Sequence, residues 1–165
     1  MGGERLGTRM PGPVTMAIRV IQGLVMLLAL VMVLTYLLRD QLVRAWARGN
    51  ESTAAILRED GLEGLEASGI TIPGFVTLAV VSFVVFATLA WVLLAFVRQG
   101  AGWSRWVLTV LAVMGMVIVV VGVQQGPPVL FLLLLGLVGV LCVILVACLW
   151  HPGSRAWFAR PRARA

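Results

Sequence analysis

Residues 129–149 read VLFLLLLGLVGVLCVILVACL, a run without one charged side chain. It matches the roughly 20 apolar residues that a hydrocarbon core of about 30 Å requires. Three more stretches, 16–38, 74–97 and 107–123, come close to the same length and character. In hydrocarbon the backbone must satisfy its own hydrogen bonds, so segments this long are helices. Barrel strands would be about half as long and would alternate polar with apolar residues. Val117-Ile118-Val119-Val120-Val121 and Leu130-Phe131-Leu132-Leu133-Leu134-Leu135 do not alternate. The β-branched bias of 107–123 favours strand in water, but length and hydropathy decide in lipid.

Composition agrees. The 165 residues are 61% hydrophobic and 12% charged, with a mean hydropathy of +1.02. A soluble domain carries about 25% charged residues, so an ordinary water-soluble globule is excluded. Disorder needs low hydrophobicity and high charge, and is excluded as well. The reading is a single membrane domain over 1–165. Residues 16–38 could also suggest a cleaved signal, with Arg5 and Arg9 before them and Ala45-Trp46-Ala47 as a weak cleavage site. Their apolar run is far longer than a signal core of about 7–15 residues, which favours an uncleaved anchor. Met1-Gly2-Gly3 is no myristoylation start, because Leu6 stands where Ser or Thr is needed.

Charge sets the expected orientation. With the N-terminus inside, the inner segments hold Arg5, Arg9, Arg19, Arg98, Arg105, Arg155, Arg160, Arg162 and Arg164 against Glu4, a net +8. The outer segments hold Arg39, Arg44, Arg48 and Arg58 against six carboxylates, a net −2, which recovers the chain's +6. The positive-inside rule then places both termini and the 98–105 turn in the cytoplasm, and 39–71 outside the plasma membrane. Arg39, Arg44 and Arg48 weigh against this, since all three follow the first span. Trp103, Trp106 and Trp150 mark an inner interface. A lipid-headgroup collar of Arg98, Trp103, Arg105, Trp106, Arg155, Trp157 and Arg160 is expected, gripping the anionic inner leaflet. The pI of 11.3 does not signal nucleic acid, because the arginines are scattered over several loops and ends.

The loop 39–71 is the one sizeable polar region. Its first part, 39–48, continues the first helix outward, with Asp40 and Arg44 spaced to pair. Gly49 stops that helix, and Asn50 or Ser52 caps a second short one through Ile56-Leu57-Arg58. Gly61, Gly64 and Gly69 then break the chain, and Pro73 opens the second span. A docking surface is expected from Arg44, Arg48, Arg58, Glu59, Asp60, Glu63 and Glu66 around an exposed Trp46. A merely solvated connector is the competing reading. Gly100 and Gly102 permit the next reversal, with Ser104 as a cap, and 124–128 is tighter still. Short loops make spans two and three, and three and four, antiparallel neighbours.

The spans are informative by omission. None contains Asp, Glu or Lys, and Arg19 lies near enough to an interface to snorkel. Carriers and pumps driven by protons need an intramembrane carboxylate or His. Gln22, Thr35, Thr77, Ser82, Thr88 and Thr109 are expected to bond to their own helix or across a helix pair. Cys142 and Cys148, about 240° apart around one helix, cannot bridge each other. His151, a lone histidine beside Trp150 and Pro152, is read as surface or interface filler. No nucleotide loop, HExxH or CxxC is present, so no catalytic residue, cofactor or metal is assigned. Gly115 and Gly122, a heptad apart, mark a packing stripe.

Residues 98–113, RQGAGWSRWVLTVLAV, and 149–158, LWHPGSRAWF, carry a resemblance. The chain resembles a loose group of four-span actinobacterial membrane proteins that share a G-x-x-W-x-R entry to the third span, here Gly100, Trp103 and Arg105. They also share an arginine–aromatic tail, here Ser154-Arg155-Ala156-Trp157-Phe158. Members often carry a long Pro/Gly-rich N-terminus, where this chain has only residues 1–13. The resemblance implies the four-span architecture and no activity. The expected fold is therefore all-α, a left-handed, membrane-embedded antiparallel four-helix bundle with a partly helical outer loop and a cytoplasmic tail, 150–165. The expected function is a non-enzymatic accessory or scaffold subunit, with membrane lipids and a membrane-protein partner or homo-oligomer. An oligomeric pore or small-molecule conduit is the alternative.

Overall fold

The computed structural model describes residues 10–159, which form eight helices and no strand. Four are long and apolar enough to cross a membrane: α1 (Gly12–Leu37), α5 (Phe75–Arg98), α6 (Gly102–Gln124) and α7 (Val129–Trp150). Between α1 and α5 lie α2 (Arg39–Arg48), α3 (Glu51–Glu59) and α4 (Gly61–Ala67), and α8 (Pro152–Phe158) follows α7. The first-turn proline of α1, Pro13, gives up no bonded N–H at a helix start. Leu38, at φ −108°, interrupts α1 before α2 continues the chain. Gly100 and Gly126 turn the chain at φ +71° and +61°, a left-handed conformation that glycine alone adopts freely. Prolines 127 and 128 then deliver it into α7.

Successive spans run antiparallel, but they do not pack in chain order. The extensive contacts are α6 with α7, α1 with α5, and α1 with α7, whereas α5 and α6 meet sparsely. The expected neighbourhood of spans two and three is thus largely confined to the region of their turn. A tight loop ties two helix ends together and leaves their far ends free to diverge. α1 and α7 fill the middle instead. The core gathers Val14, Ala17, Ile18, Val20 and Ile21 with Leu93, Val97, Leu108, Ala112, Cys142, Leu145 and Leu149. These sit toward the end that holds the α5–α6 turn and α8. Toward the α2–α4 end, Tyr36, Leu78, Val81, Val121 and Leu133 are exposed.

Two glycines let α6 approach α7. A Cβ on Gly115 would stand 3.2 Å from Cys142 Sγ, and one on Gly122 would stand 3.1 Å from Leu135 Cδ1. Both face α7, as a packing stripe would. Thr35 and Thr109 donate to the carbonyls of Val31 and Arg105 on their own helix, at 2.8 Å each. Local corrections follow from backbone geometry. Ser104 lies inside α6, where Ala101 is the N-cap residue, and its Oγ donates back to the Ala101 carbonyl at 2.6 Å. Gly64 does not break the chain but lies within α4, where an added Cβ would collide with the Asp60 Cβ. α5 begins at Phe75, two residues after Pro73.

Gly115→Leu and Gly122→Leu should each destabilise the bundle by roughly 1–3 kcal/mol through overpacking against α7. Gly23→Ala is the control, because a Cβ there meets nothing within 4 Å. Thermal unfolding in detergent measures the difference.

Candidate functional site

Two places concentrate polar side chains. At one end of the bundle α8 folds back under the α5–α6 turn. His151 is the residue that allows it: its Nδ1 accepts from the Gly153 N–H at 3.2 Å and caps the short helix. Ser154 is fully buried and donates to the Cys148 carbonyl at 2.6 Å, satisfying the end of α7. Trp157 then reaches α5, where its indole N–H donates to the Val97 carbonyl at 3.2 Å. A Cβ on Gly100 would come within 3.2 Å of the Trp157 carbonyl oxygen, so glycine is required there for space as well as for φ. Gly100 and Trp157, from separate motifs, therefore meet.

Trp150 is the hub of this end. The Arg105 guanidinium lies 3.9 Å from its ring centroid and that of Arg155 lies 5.9 Å away. Trp106 meets it edge-on at 5.0 Å. Its indole N–H donates to Thr109 Oγ1 at 3.1 Å, tying α7 to α6. The Nε of Arg105 is buried and has no hydrogen-bond partner among the described residues. Of the expected collar, Arg105, Trp106 and Arg155 converge on this hub. Arg98 and Trp103 are exposed nearby, with Trp103 against Phe96 at 4.7 Å. Trp157 points at the α5–α6 turn, and Arg160 lies outside the described residues. Trp150 was legible in sequence only as an interface marker. Its facing partner Thr109, at a matching depth in the preceding span, was the available signal.

At the other end α2, α3 and α4 fold together. Val43, Ala47 and Leu65 are buried, with Trp46, Ile56, Leu57, Leu62, Ile72 and Phe75 packed around them. Trp46 is thus part of a small core rather than an exposed anchor, because Val43 and Ala47 share its side of α2. Thr53 ties the α2–α3 corner by donating to the Ala47 carbonyl at 2.9 Å. Asn50 occupies the N-cap position of α3, yet its side chain donates to the Trp46 carbonyl at 3.3 Å instead of capping. Among the described residues the ion pair is Arg39–Glu66 at 3.5 Å, joining α2 to α4; the pair expected between Asp40 and Arg44 is not formed. Arg44, Arg48 and Arg58 line a groove of about 550 Å³ with Ala54, Leu57, Gly61 and Leu62. Glu59, Asp60, Glu63 and Glu66 are exposed outside its lining.

No group of His, Cys, Asp or Glu among the described residues could hold a metal ion. The four apolar helices define the class, a multi-pass α-helical membrane protein. Comparison with protein-family models, with curated proteins and with solved structures gives no match.

Trp157→Ala should release α8 from the α5–α6 turn, with a stability loss of about 1–3 kcal/mol. Limited trypsin digestion in detergent, followed by mass spectrometry, should then show faster cleavage after Arg155.

Proposed function

We propose that this chain is a non-enzymatic accessory or scaffold protein of the plasma membrane. Both termini and the α5–α6 turn face the cytoplasm, and α2–α4 face outward. The observation that carries the docking role is the α2–α4 unit: a three-helix platform with its own core, seated on the ends of α1 and α5. A slack connector would bury nothing. This unit holds a mixed-charge surface in fixed register, which is how charged residues select a partner. The uniformly apolar spans offer far less discrimination, since lipid tails resemble them chemically.

At the opposite end, Arg105 and Arg155 both approach the Trp150 ring, and among the described residues neither has an acidic partner. That supports contact with anionic headgroups of the inner leaflet. A conduit is less well supported, because a water-filled path wants free polar groups along it. The buried polar side chains among the described residues are Thr35, Thr53, Ser104 and Ser154. Each donates to a backbone carbonyl.

Topology is checked with single cysteines at two exposed positions, Ser52→Cys and Ala156→Cys, in a background lacking Cys142 and Cys148. An impermeant maleimide added to intact cells should label the first and spare the second; the reverse pattern overturns the orientation. Docking is checked by replacing residues 40–68 with a Gly/Ser linker of equal length, then crosslinking and purifying from native membranes. The spans should still insert while partners recovered with the native chain are lost. Recovery of every partner would place the docking surface elsewhere.

A further inference from the structure

The arginine groove of the platform has a chemistry that protein docking does not by itself explain. α2 carries Arg44 and Arg48 at i and i+4, hence on one face of the helix. The corner at Gly49 and Asn50 turns α3 back, which brings Arg58 of its last turn to the same concavity. Gly61, at φ +70°, closes it between α3 and α4. The remaining lining is Ala54, Leu57 and Leu62, so three arginines share the groove with apolar side chains. No carboxylate among the described residues lines the groove, although six carboxylates lie within 40–66 of the sequence. The ion pair of the platform uses Arg39, which stands outside the groove. Among the described residues, none of the three groove arginines has an acidic partner.

Three like charges around one hollow repel each other unless an anion enters. Guanidinium presents rigid forks of N–H donors that match the oxygens of phosphate or carboxylate two at a time. Three such forks suit a group with several acceptor oxygens and about two negative charges, which a phosphate-type group has and a single carboxylate lacks. The apolar part of the lining, Ala54, Leu57 and Leu62, accepts the carbon part of such a ligand, and the groove falls within the usual size range of small-ligand sites. Arg44 follows the last residue of α1 by seven positions, so it stands at most ~10 Å further along the chain if helical rise is continuous. The headgroup layer of a bilayer begins within that reach.

We propose that the groove formed by Arg44, Arg48 and Arg58 is a binding site for a phosphate-type oxyanion carried on an amphiphilic or small soluble molecule. The inference uses the folded platform of the docking reading and needs no protein partner.

The test uses the full chain in nanodiscs of zwitterionic phosphatidylcholine, titrated with inorganic pyrophosphate by calorimetry. Saturable binding that weakens with salt is expected. The R44Q/R48Q/R58Q variant should lose at least about tenfold in affinity, as expected for removing charge-assisted hydrogen bonds. R58Q alone should weaken binding, and R19Q, an exposed arginine on α1 away from the groove, should leave it intact. All three arginines are exposed, and circular dichroism checks that the variants stay folded. A second arm uses nanodiscs containing phosphatidylglycerol and counts retained lipid by native mass spectrometry. Retention that falls in R44Q/R48Q/R58Q assigns the oxyanion to a lipid headgroup; pyrophosphate binding with unchanged retention assigns it to a soluble ligand. The proposal is overturned if neither probe binds, if R44Q/R48Q/R58Q binds as well as the native chain, or if a hexaglutamate peptide binds more tightly than pyrophosphate. Partner loss on replacing 40–68, without anion binding, overturns this site alone. Anion binding with all partners retained overturns the docking reading alone.

Discussion

Lipid tails are as apolar as leucine, so bringing two spans together gains little from removing apolar surface from its surroundings. Close contact and polar ties must hold such a bundle. In this chain they are localised. Gly115 and Gly122 bring α6 against Cys142 and Leu135 of α7. Trp150 bonds Thr109 across the same pair, Ser154 closes the end of α7, and Trp157 ties α8 to Val97. The hydrogen-bonded ties lie at the α8 end, and most of the buried core lies there too.

The consequence is a bundle closed at one end and sparsely covered at the other. Exposed Leu78, Val81, Val121 and Leu133 cost nothing while acyl chains surround them, so nothing forces those halves together. Beyond the spans the physics changes. In water the hydrophobic effect operates again, and Val43, Ala47 and Leu65 form a second core around which α2, α3 and α4 assemble. The two ends of the molecule are therefore organised by different forces. One combines close apolar packing with specific hydrogen bonds and aromatic contacts, and the other rests on apolar burial away from water.

That second core explains the arginines of the platform. Once one side of α2 is turned inward through Val43, Trp46 and Ala47, the i,i+4 pair Arg44 and Arg48 must face away from it. α3, folded back by the Gly49 corner and pinned by Thr53, brings Arg58 to the same side. The acidic residues fall on the remaining surface. A loop of nearly balanced composition is thereby sorted into a basic concavity and an acidic exterior.

The spans and their turns were readable from residue order alone, because hydropathy over about 20 residues and the positions of Gly and Pro are local quantities. Residues 129–149 and the turns at Gly100 and Gly126 stand where the sequence puts them. The short helices up to Ile56-Leu57-Arg58 were equally legible from breakers and composition. The orientation of side chains around each helix was not. α7 is apolar on every face, so no periodic signal says that it lies against both α1 and α6 or that α5 and α6 diverge. Trp46 as core, Trp157 turned toward Val97 and three arginines around one groove all depend on that missing rotation. It is set by contacts between residues far apart in the chain, and only the tertiary structure contains them.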